Sequence, residues 1–242
     1  MDKEIIYTEG KMIIGLSGYP NSGKSTAQKY IVDKYKFFPA TFAKNLKEMC
    51  KECFHLTNDQ VYTQQGKEEV FNFILEDWMG YFLFEWINRT HPIPVKAINK
   101  IEDIINDIPR ATTPRHILRI IGTEVCRQVI SDTYHIDVVK HNIQKHNNVI
   151  FDDARFPNEF ALCTCKILLK RQGSIFTLVH ASDNLLPEDE YNHVLDIPDG
   201  DLDYLYKKID MIIEIEEAKE KPEKFLFVMD EFKYWEDKDG KS

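Results

Sequence analysis

The sequence lacks an uninterrupted apolar run long enough to cross a bilayer. Its richest apolar stretch, residues 70–87, is broken by Glu76, Asp77 and Glu85, too many charges for a membrane span, and reads as a buried helix. It also lacks a leader pattern, because Asp2, Lys3 and Glu4 run directly into a short strand-like segment with no apolar middle or small-residue cleavage site. A cytoplasmic protein without a membrane partner is the expectation. Positive charge is in deficit: 31 Lys and Arg stand against 40 Asp and Glu, a net charge of −9. That balance argues against a general nucleic-acid coat or a binder of anionic membranes, so any local cluster of arginines becomes informative. Cysteines are few, five in all. Cys50 and Cys53 (CKEC) are remote in sequence from Cys163 and Cys165 (CTC), the second pair has a single residue between its members, and Cys126 has no near neighbour of its kind. Both pairs lie in segments read as helical, so they are taken as thiols of a reducing compartment rather than as a four-sulfur zinc or redox site. No internal repeat is visible.

What is present begins with GYPNSGKST, residues 18–26. Gly18 and Gly23 are separated by four residues and followed by Lys24 and Ser25, while Met12, Ile13, Ile14 and Leu16 form an apolar strand running into the loop. This is the phosphate-binding P-loop pattern in its strand-to-helix context. The glycines permit turns that side chains would block, so backbone N–H groups of the loop, Asn21 and Ser22 included, converge on phosphate oxygens at a helix N-terminus. Lys24 is placed to hold β- and γ-phosphates, Ser25 to offer a hydroxyl to Mg²⁺, and Thr26 to reach the α-phosphate.

At 242 residues the chain is most simply one domain. A helix over about residues 24–35, a strand over 37–42 and a helix over 43–54 imply an α/β fold with a mostly parallel sheet covered on both faces. Residues from about 57 to 110 show helical spacing without a convincing strand and read as a helical insertion, broken near His91-Pro92-Ile93-Pro94. Thr113-Pro114 opens another helix, which Gly122 interrupts. Residues 149–151 form a short buried strand ending in Asp152-Asp153. Pro157 starts a helix expected to run to about Gly173, residues 174–179 read as a strand, and a last helix spans 201–209 with continuation to about 219. The tail from Glu220 is charged and aromatic, and the chain beyond about residue 211 has no assigned role.

Two clusters bear on what the phosphates are used for. TPRHILRIIGTEVCR, residues 113–127, gathers Arg115, Arg119 and Arg127 on one helical unit. Arg115 and Arg119 are one turn apart on a shared face, with Arg127 two turns beyond, a grouping suited to bidentate phosphate recognition. DDARFPNE, residues 152–159, sits at the C-terminal end of an apolar strand, where open α/β sheets bind ligands. There Asp152 or Asp153 is placed to approach Mg²⁺, Arg155 to point toward the same cleft, and Glu159 either to join them or to cap the helix behind Pro157.

Three runs occur in a familiar order: the P-loop followed by Phe42, Ala43, Lys44 and Lys47; TPR-x-x-L-x-x-x-G-T-E-x-x-R; and D-x-R-F-P-N-E. Together they resemble the bacteriophage and large-virus deoxynucleoside monophosphate kinases over roughly residues 12–210. The resemblance implies a P-loop NTPase fold, a parallel sheet flanked by helices in three layers with a helical lid, and transfer of the γ-phosphoryl of ATP, with Mg²⁺, to a deoxynucleoside 5′-monophosphate. It further implies that Arg115 and Arg127 clamp the acceptor phosphate, that Asp153, Arg155 and Glu159 line the acceptor or metal side, with Asp153 and Ser25 toward the metal, and that Phe42, Ala43 and Lys47 border the monophosphate pocket. Arg119 stands where the family often has Gln. The family's late H-x-S-E pattern is reduced to His193-Val194-Leu195-Asp196. Lys170 and Arg171 are lid contributors in this reading, or else a charge pair ending a helix. A viral kinase would work in the host cytoplasm without a stable nucleic-acid partner.

Other readings lack support elsewhere in the chain. Asp77-Trp78-Met79-Gly80 and Asn99-Lys100-Ile101-Glu102 imitate GTPase motifs, but they lie too close together in helical sequence. Another P-loop kinase, acting on dephospho-coenzyme A or a polynucleotide 5′ end, remains the main alternative, and a pure nucleotide-binding module would not need the arginines. The aromatic run Trp78, Tyr81, Phe82, Phe84 and Trp86 fits core, pocket wall or a homodimer face.

Overall fold

The computed structural model describes residues 10–172 and 185–219. In chain order its elements are β1 (Met12–Ser17), α1 (Lys24–Tyr35), β2 (Phe38–Ala40), α2 (Ala43–Phe54), α3 (Asn58–Tyr62), α4 (Gln64–Glu68), β3 (Phe71–Asn72), α5 (Asp77–Asn88) and α6 (Val95–Asn106). There follow β4 (Ala111–Thr112), α7 (Pro114–Arg119), a π-helical stretch (Ile120–Ile130), α8 (Tyr134–Ile143), β5 (Asn148–Phe151), α9 (Pro157–Phe160), β6 (Cys165–Arg171), β7 (His193–Ile197) and α10 (Leu202–Lys219). The chain divides into two compact units, one of Met1–Thr41 with Ile143–Ser242 and one of Phe42–Asn142. The expected strand at 174–179 and the chain beyond residue 219 lie outside the described residues.

Among the described residues the first unit holds a five-stranded sheet in the order β2-β5-β1-β6-β7, parallel at every pairing. From the central β1 the chain goes first to one side and later fills the other, so β1 ends at the point where the strand order reverses, the usual ligand position in such sheets. One face is aliphatic: Ile14, Leu16, Ile150, Ile167 and Leu169 pack with Ala27 and Ile31 of α1 and with Leu205, Ile209, Ile212 and Ile213 of α10. Each Leu and Ile side chain contributes about 1.5–3 kcal/mol by leaving water, which fixes α1 and α10 on the sheet. Across their outer sides Asp210 accepts from Tyr30 Oη at 2.8 Å, Tyr35 Oη at 2.6 Å and Lys34 Nζ at 2.7 Å. On the opposite face Gly15 admits Cys163 and Phe160, which a Cβ there would strike. This is an α/β fold of the P-loop kinase type.

The second unit is helical apart from the two-stranded pairing of β3 with β4, strands too short to stand out from the helical pattern in the sequence. Met49, Cys53, Leu83, Ile101, Ile117, Ile121 and Cys126 form its core. The π-helical stretch begins where α7 ends, and Gly122 within it lies so close to Leu46 that a Cβ would approach Cδ2 to 2.6 Å. The Gly122 carbonyl accepts a hydrogen bond from His135 Nε2 at 3.0 Å. Burial lowers the His135 pKa to about 4, so the ring is neutral and carries its proton on Nε2.

The helical reading of the segment from Pro157 to about Gly173 is corrected. The helix after Pro157 is a single turn, Pro157–Phe160, and the residues expected to continue it form β6. β6 lies between β1 and β7 and is buried from Ile167 to Leu169, so its apolar residues run together without alternation, and periodicity cannot separate such a strand from a buried helix. Cys165 is therefore a strand residue, and Lys170 and Arg171 end a strand rather than a helix. All five cysteines are free and buried. Among the described residues no helix is long and apolar enough to cross a membrane.

Candidate active site

The loop between β1 and α1 is shaped by three residues with positive φ: Gly18 at 142°, Asn21 at 64° and Gly23 at 97°. Asparagine is one of the few residues that tolerates this region, whereas a Cβ at Gly18 would collide with the Leu169 carbonyl and Ser22 Oγ. Gly23 caps α1 without a side-chain hydrogen bond, at a helix start where an anion is favoured. Ser22 Oγ is buried without a hydrogen-bond partner among the described residues. An orphaned hydroxyl beside uncapped helix amides, in a turn that excludes a Cβ, fits a phosphate group.

Lys24 Nζ donates to the carbonyls of Gly18 at 2.6 Å and Tyr19 at 2.9 Å. Burial, and after it the guanidinium of Arg155, lower its pKa to about 8 against the opposing pull of Asp152. The charge is held where a phosphate would relieve its desolvation. Ser25 Oγ donates to Asp152 Oδ2 at 3.4 Å, an all-oxygen pair of the kind that hard divalent cations take. Of the two candidate carboxylates, Asp152 faces Ser25, while Asp153, the one expected toward the metal, has Oδ2 accepting from Thr41 Oγ1 at 2.5 Å. Both carboxylates lie in the turn that follows β5.

Glu159 is buried, and its Oε2 accepts from the backbone N–H of Arg155 at 2.8 Å and of Phe156 at 3.1 Å. It holds the turn that carries Arg155. Arg171 donates from Nη1 to the Asn21 carbonyl at 3.3 Å and pairs with Asp199, linking the phosphate loop to the turn before α10. Lys170 pairs with Glu188 at 3.0 Å and with Asp196 at 3.4 Å. A cavity of about 680 Å³ adjoins the loop hydroxyls and is lined by Ser25, Thr26, Lys29, Tyr30, Asp33, Lys34 and Tyr206. Tyr30 and Tyr206 stack there with ring centroids 4.1 Å apart.

The remaining expected residues belong to the second unit. Phe42 is buried, Ala43 opens α2, and Lys47 Nζ lies 4.9 Å from the centre of the Tyr62 ring. Thr113 caps α7 by accepting from His116 N. Arg115 pairs with Glu68 and donates from Nη2 to Gln64 Oε1 at 3.1 Å. Burial and then the Arg119 charge lower the His116 pKa, and its Nδ1 accepts from Arg119 Nη2 at 3.1 Å. Arg127 donates from Nη1 to the Asp132 carbonyl at 3.1 Å. Arg127 lies in the π-helical stretch, where i→i+5 bonding replaces the α-helical repeat, so the two-turn offset expected from Arg119 does not apply. The sequence carried no signal for Glu68 and Gln64 as supports of Arg115, since they are remote from it in the chain.

No family model matches the chain. A protein of Acanthamoeba polyphaga mimivirus, provisionally named a deoxynucleotide monophosphate kinase, is 27% identical over 161 residues, covering 61% of this chain and 66% of the relative. The deoxynucleoside-5′-monophosphate kinase of Escherichia phage T5 is 26% identical over 174 residues, covering 61% of this chain and 70% of the relative. The chain is a distant homologue of viral and phage deoxynucleoside monophosphate kinases.

Proposed function

We propose that this protein transfers the γ-phosphoryl of ATP to a deoxynucleoside 5′-monophosphate, giving the diphosphate and ADP. The observation that carries the reading is the turn after β5, which brings the Asp152 carboxylate to the P-loop hydroxyl of Ser25 and the Arg155 charge close enough to depress Lys24. A phosphate cradle with that pairing suits phosphoryl transfer, where the protein mainly positions reactants and neutralises charge.

In this mechanism the loop amides and Ser22 Oγ take donor phosphate oxygens, and Lys24 turns from its two carbonyls onto the β- and γ-phosphates. Ser25 and Asp152 would hold Mg²⁺, which when bound would neutralise charge on the phosphate oxygens. The cavity beside Ser25 and Thr26 takes the donor nucleoside. Arg155 offsets charge on the transferring group, and Glu159 positions it through the backbone of its turn. On the acceptor side Arg115 and Arg127 hold the monophosphate, with Arg115 exchanging Glu68 for the substrate, while Arg119, Phe42, Ala43 and Lys47 border it. No general base is required, because the acceptor phosphate oxygen is already anionic near neutral pH.

The test is an ATP-dependent phosphorylation panel of deoxynucleoside monophosphates, ribonucleoside monophosphates, dephospho-coenzyme A and a 5′-hydroxyl oligonucleotide. Conversion of at least one deoxynucleotide in preference to its ribonucleotide is expected. Turnover of only the last two substrates would replace the reading with the alternative kinase class.

A further inference from the structure

The aliphatic layer between the sheet and α10 is interrupted at one place by three chemically unusual neighbours. Cys165 of β6 is fully buried in that layer. His193 of β7 is the register partner of Ile167, and in a strand Ile167 and Cys165 share a face. Glu216 lies four residues after Ile212 on α10, on the stripe that faces the sheet. One ligand atom from each of Cys165, His193 and Glu216 lies within 4.8 Å of the other two. The His193 and Glu216 side chains are only 14% and 8% exposed, and His193 Nε2 meets Glu216 Oε1 at 2.7 Å.

We propose that Cys165, His193 and Glu216 form a zinc site that pins α10 to the β6 and β7 side of the sheet. A thiol, an imidazole and a carboxylate together match the borderline-soft preference of Zn²⁺, and three protein ligands leave a fourth tetrahedral position for water. Tetrahedral bonds of about 2.3 Å to sulfur and 2.0–2.1 Å to nitrogen place those two atoms about 3.5 Å apart. Separations of at most 4.8 Å close to that value through side-chain adjustment. The imidazole-to-carboxylate hydrogen bond opens by a comparable amount. Lys219 Nζ now lies 2.7 Å from Glu216 Oε1, but its side chain is 45% exposed and withdraws into solvent when the cation takes its place. The three ligands come from β6, β7 and α10, so the ion joins elements distant in sequence. His193 and Glu216 had no role in the phosphate chemistry.

Binding must displace the thiol proton, since burial first and the Glu216 charge second push the Cys165 pKa upward, against the pull of Lys219. Proton release and an affinity that rises with pH accompany the site.

The experiment uses the full chain, freed of metal with a chelator and titrated with Zn²⁺ or Co²⁺ alone. One equivalent per chain is expected after dialysis, with a thiolate-to-cobalt charge-transfer band and a rise in melting temperature on zinc addition. Cys165→Ser should lose the band and weaken binding by more than the ~10–100-fold attached to outer-sphere partners, whereas Cys163→Ser should keep both. Glu216→Gln, which preserves the thiol, should weaken zinc binding while leaving the cobalt-sulfur band visible at high metal, and it decides the matter if Cys165→Ser does not fold. Absence of stoichiometric metal in the wild type, or a band that survives Cys165→Ser, overturns the proposal.

Discussion

Nucleotide binding should take up a proton in alkaline solution, and Lys24 should be the group that captures it. In the free protein burial and Arg155 hold the Lys24 pKa at about 8 against an ordinary 10.5, equivalent to about 3 kcal/mol against the charged form at 1.36 kcal/mol per unit. Phosphates beside Nζ supply the opposite charge and raise the pKa again, so binding captures a proton wherever the free lysine has lost one. About a tenth of the lysine is neutral at pH 7 and about nine tenths at pH 9, one unit on either side of its pKa of about 8. Calorimetric titration of ATP and Mg²⁺ in buffers of different ionisation enthalpy, without acceptor, should show close to one proton taken up at pH 9 and far less at pH 7. Affinity should fall by up to about tenfold per pH unit above 8. The same lysine makes the ligand-free fold less stable at neutral pH. Its folded pKa lies below its unfolded one, so the unfolded chain binds more protons between about 8 and 10.5, and the Lys24 contribution to stability improves as pH rises through that window. Equal proton uptake at both pH values, or uptake that persists in Lys24→Met, would refute the reasoning.

Three further outcomes follow. Asp152→Asn should cut turnover at least about tenfold and raise the Mg²⁺ concentration needed, because it removes the carboxylate facing Ser25, while Asp153→Asn should alter stability more than metal dependence; steady-state kinetics across a Mg²⁺ series distinguish them. Glu159→Ala removes the acceptor of two backbone N–H groups and should cost about 1–3 kcal/mol in urea unfolding, with a fall in kcat as the Arg155 turn loosens. Asp210→Ala leaves the Tyr35 hydroxyl and the Lys34 ammonium without their shared acceptor and should cost about 1–2 kcal/mol. In the wild type burial raises the Asp210 pKa, but its three hydrogen bonds outweigh burial and hold it below the ordinary value, so this contribution is present above the ordinary Asp range and fades as pH drops through the lowered pKa.

The phosphate loop was legible because its conformation demands particular residues at a fixed spacing: Gly18 and Gly23 occupy positive φ, and Lys24 and Ser25 follow at the start of α1. DDAR was legible as a strand ending in charge. Which of Asp152 and Asp153 faces Ser25 was not, because both lie in the turn beyond β5, whose backbone path no periodicity in the sequence records. β6 was misread as helix because burial on both faces erases the alternation by which strands are recognised. The π-helical winding that carries Arg127 left no trace in composition. Glu159 could be read either as a ligand or as a helix cap, and its two backbone hydrogen bonds show what the carboxylate does in the fold. The supports of Arg115 come from α4, and only tertiary structure connects them.

The central claim is that a deoxynucleoside monophosphate receives the phosphoryl group. Phosphorus NMR of wild-type protein with ATP, Mg²⁺ and each deoxynucleoside monophosphate reads that event directly. The account predicts matched loss of ATP and growth of ADP and a deoxynucleoside diphosphate for at least one base, abolished by Lys24→Ala and diminished through a raised acceptor KM by Arg127→Ala. ATP hydrolysed to inorganic phosphate with no diphosphate formed from any deoxynucleotide would contradict it.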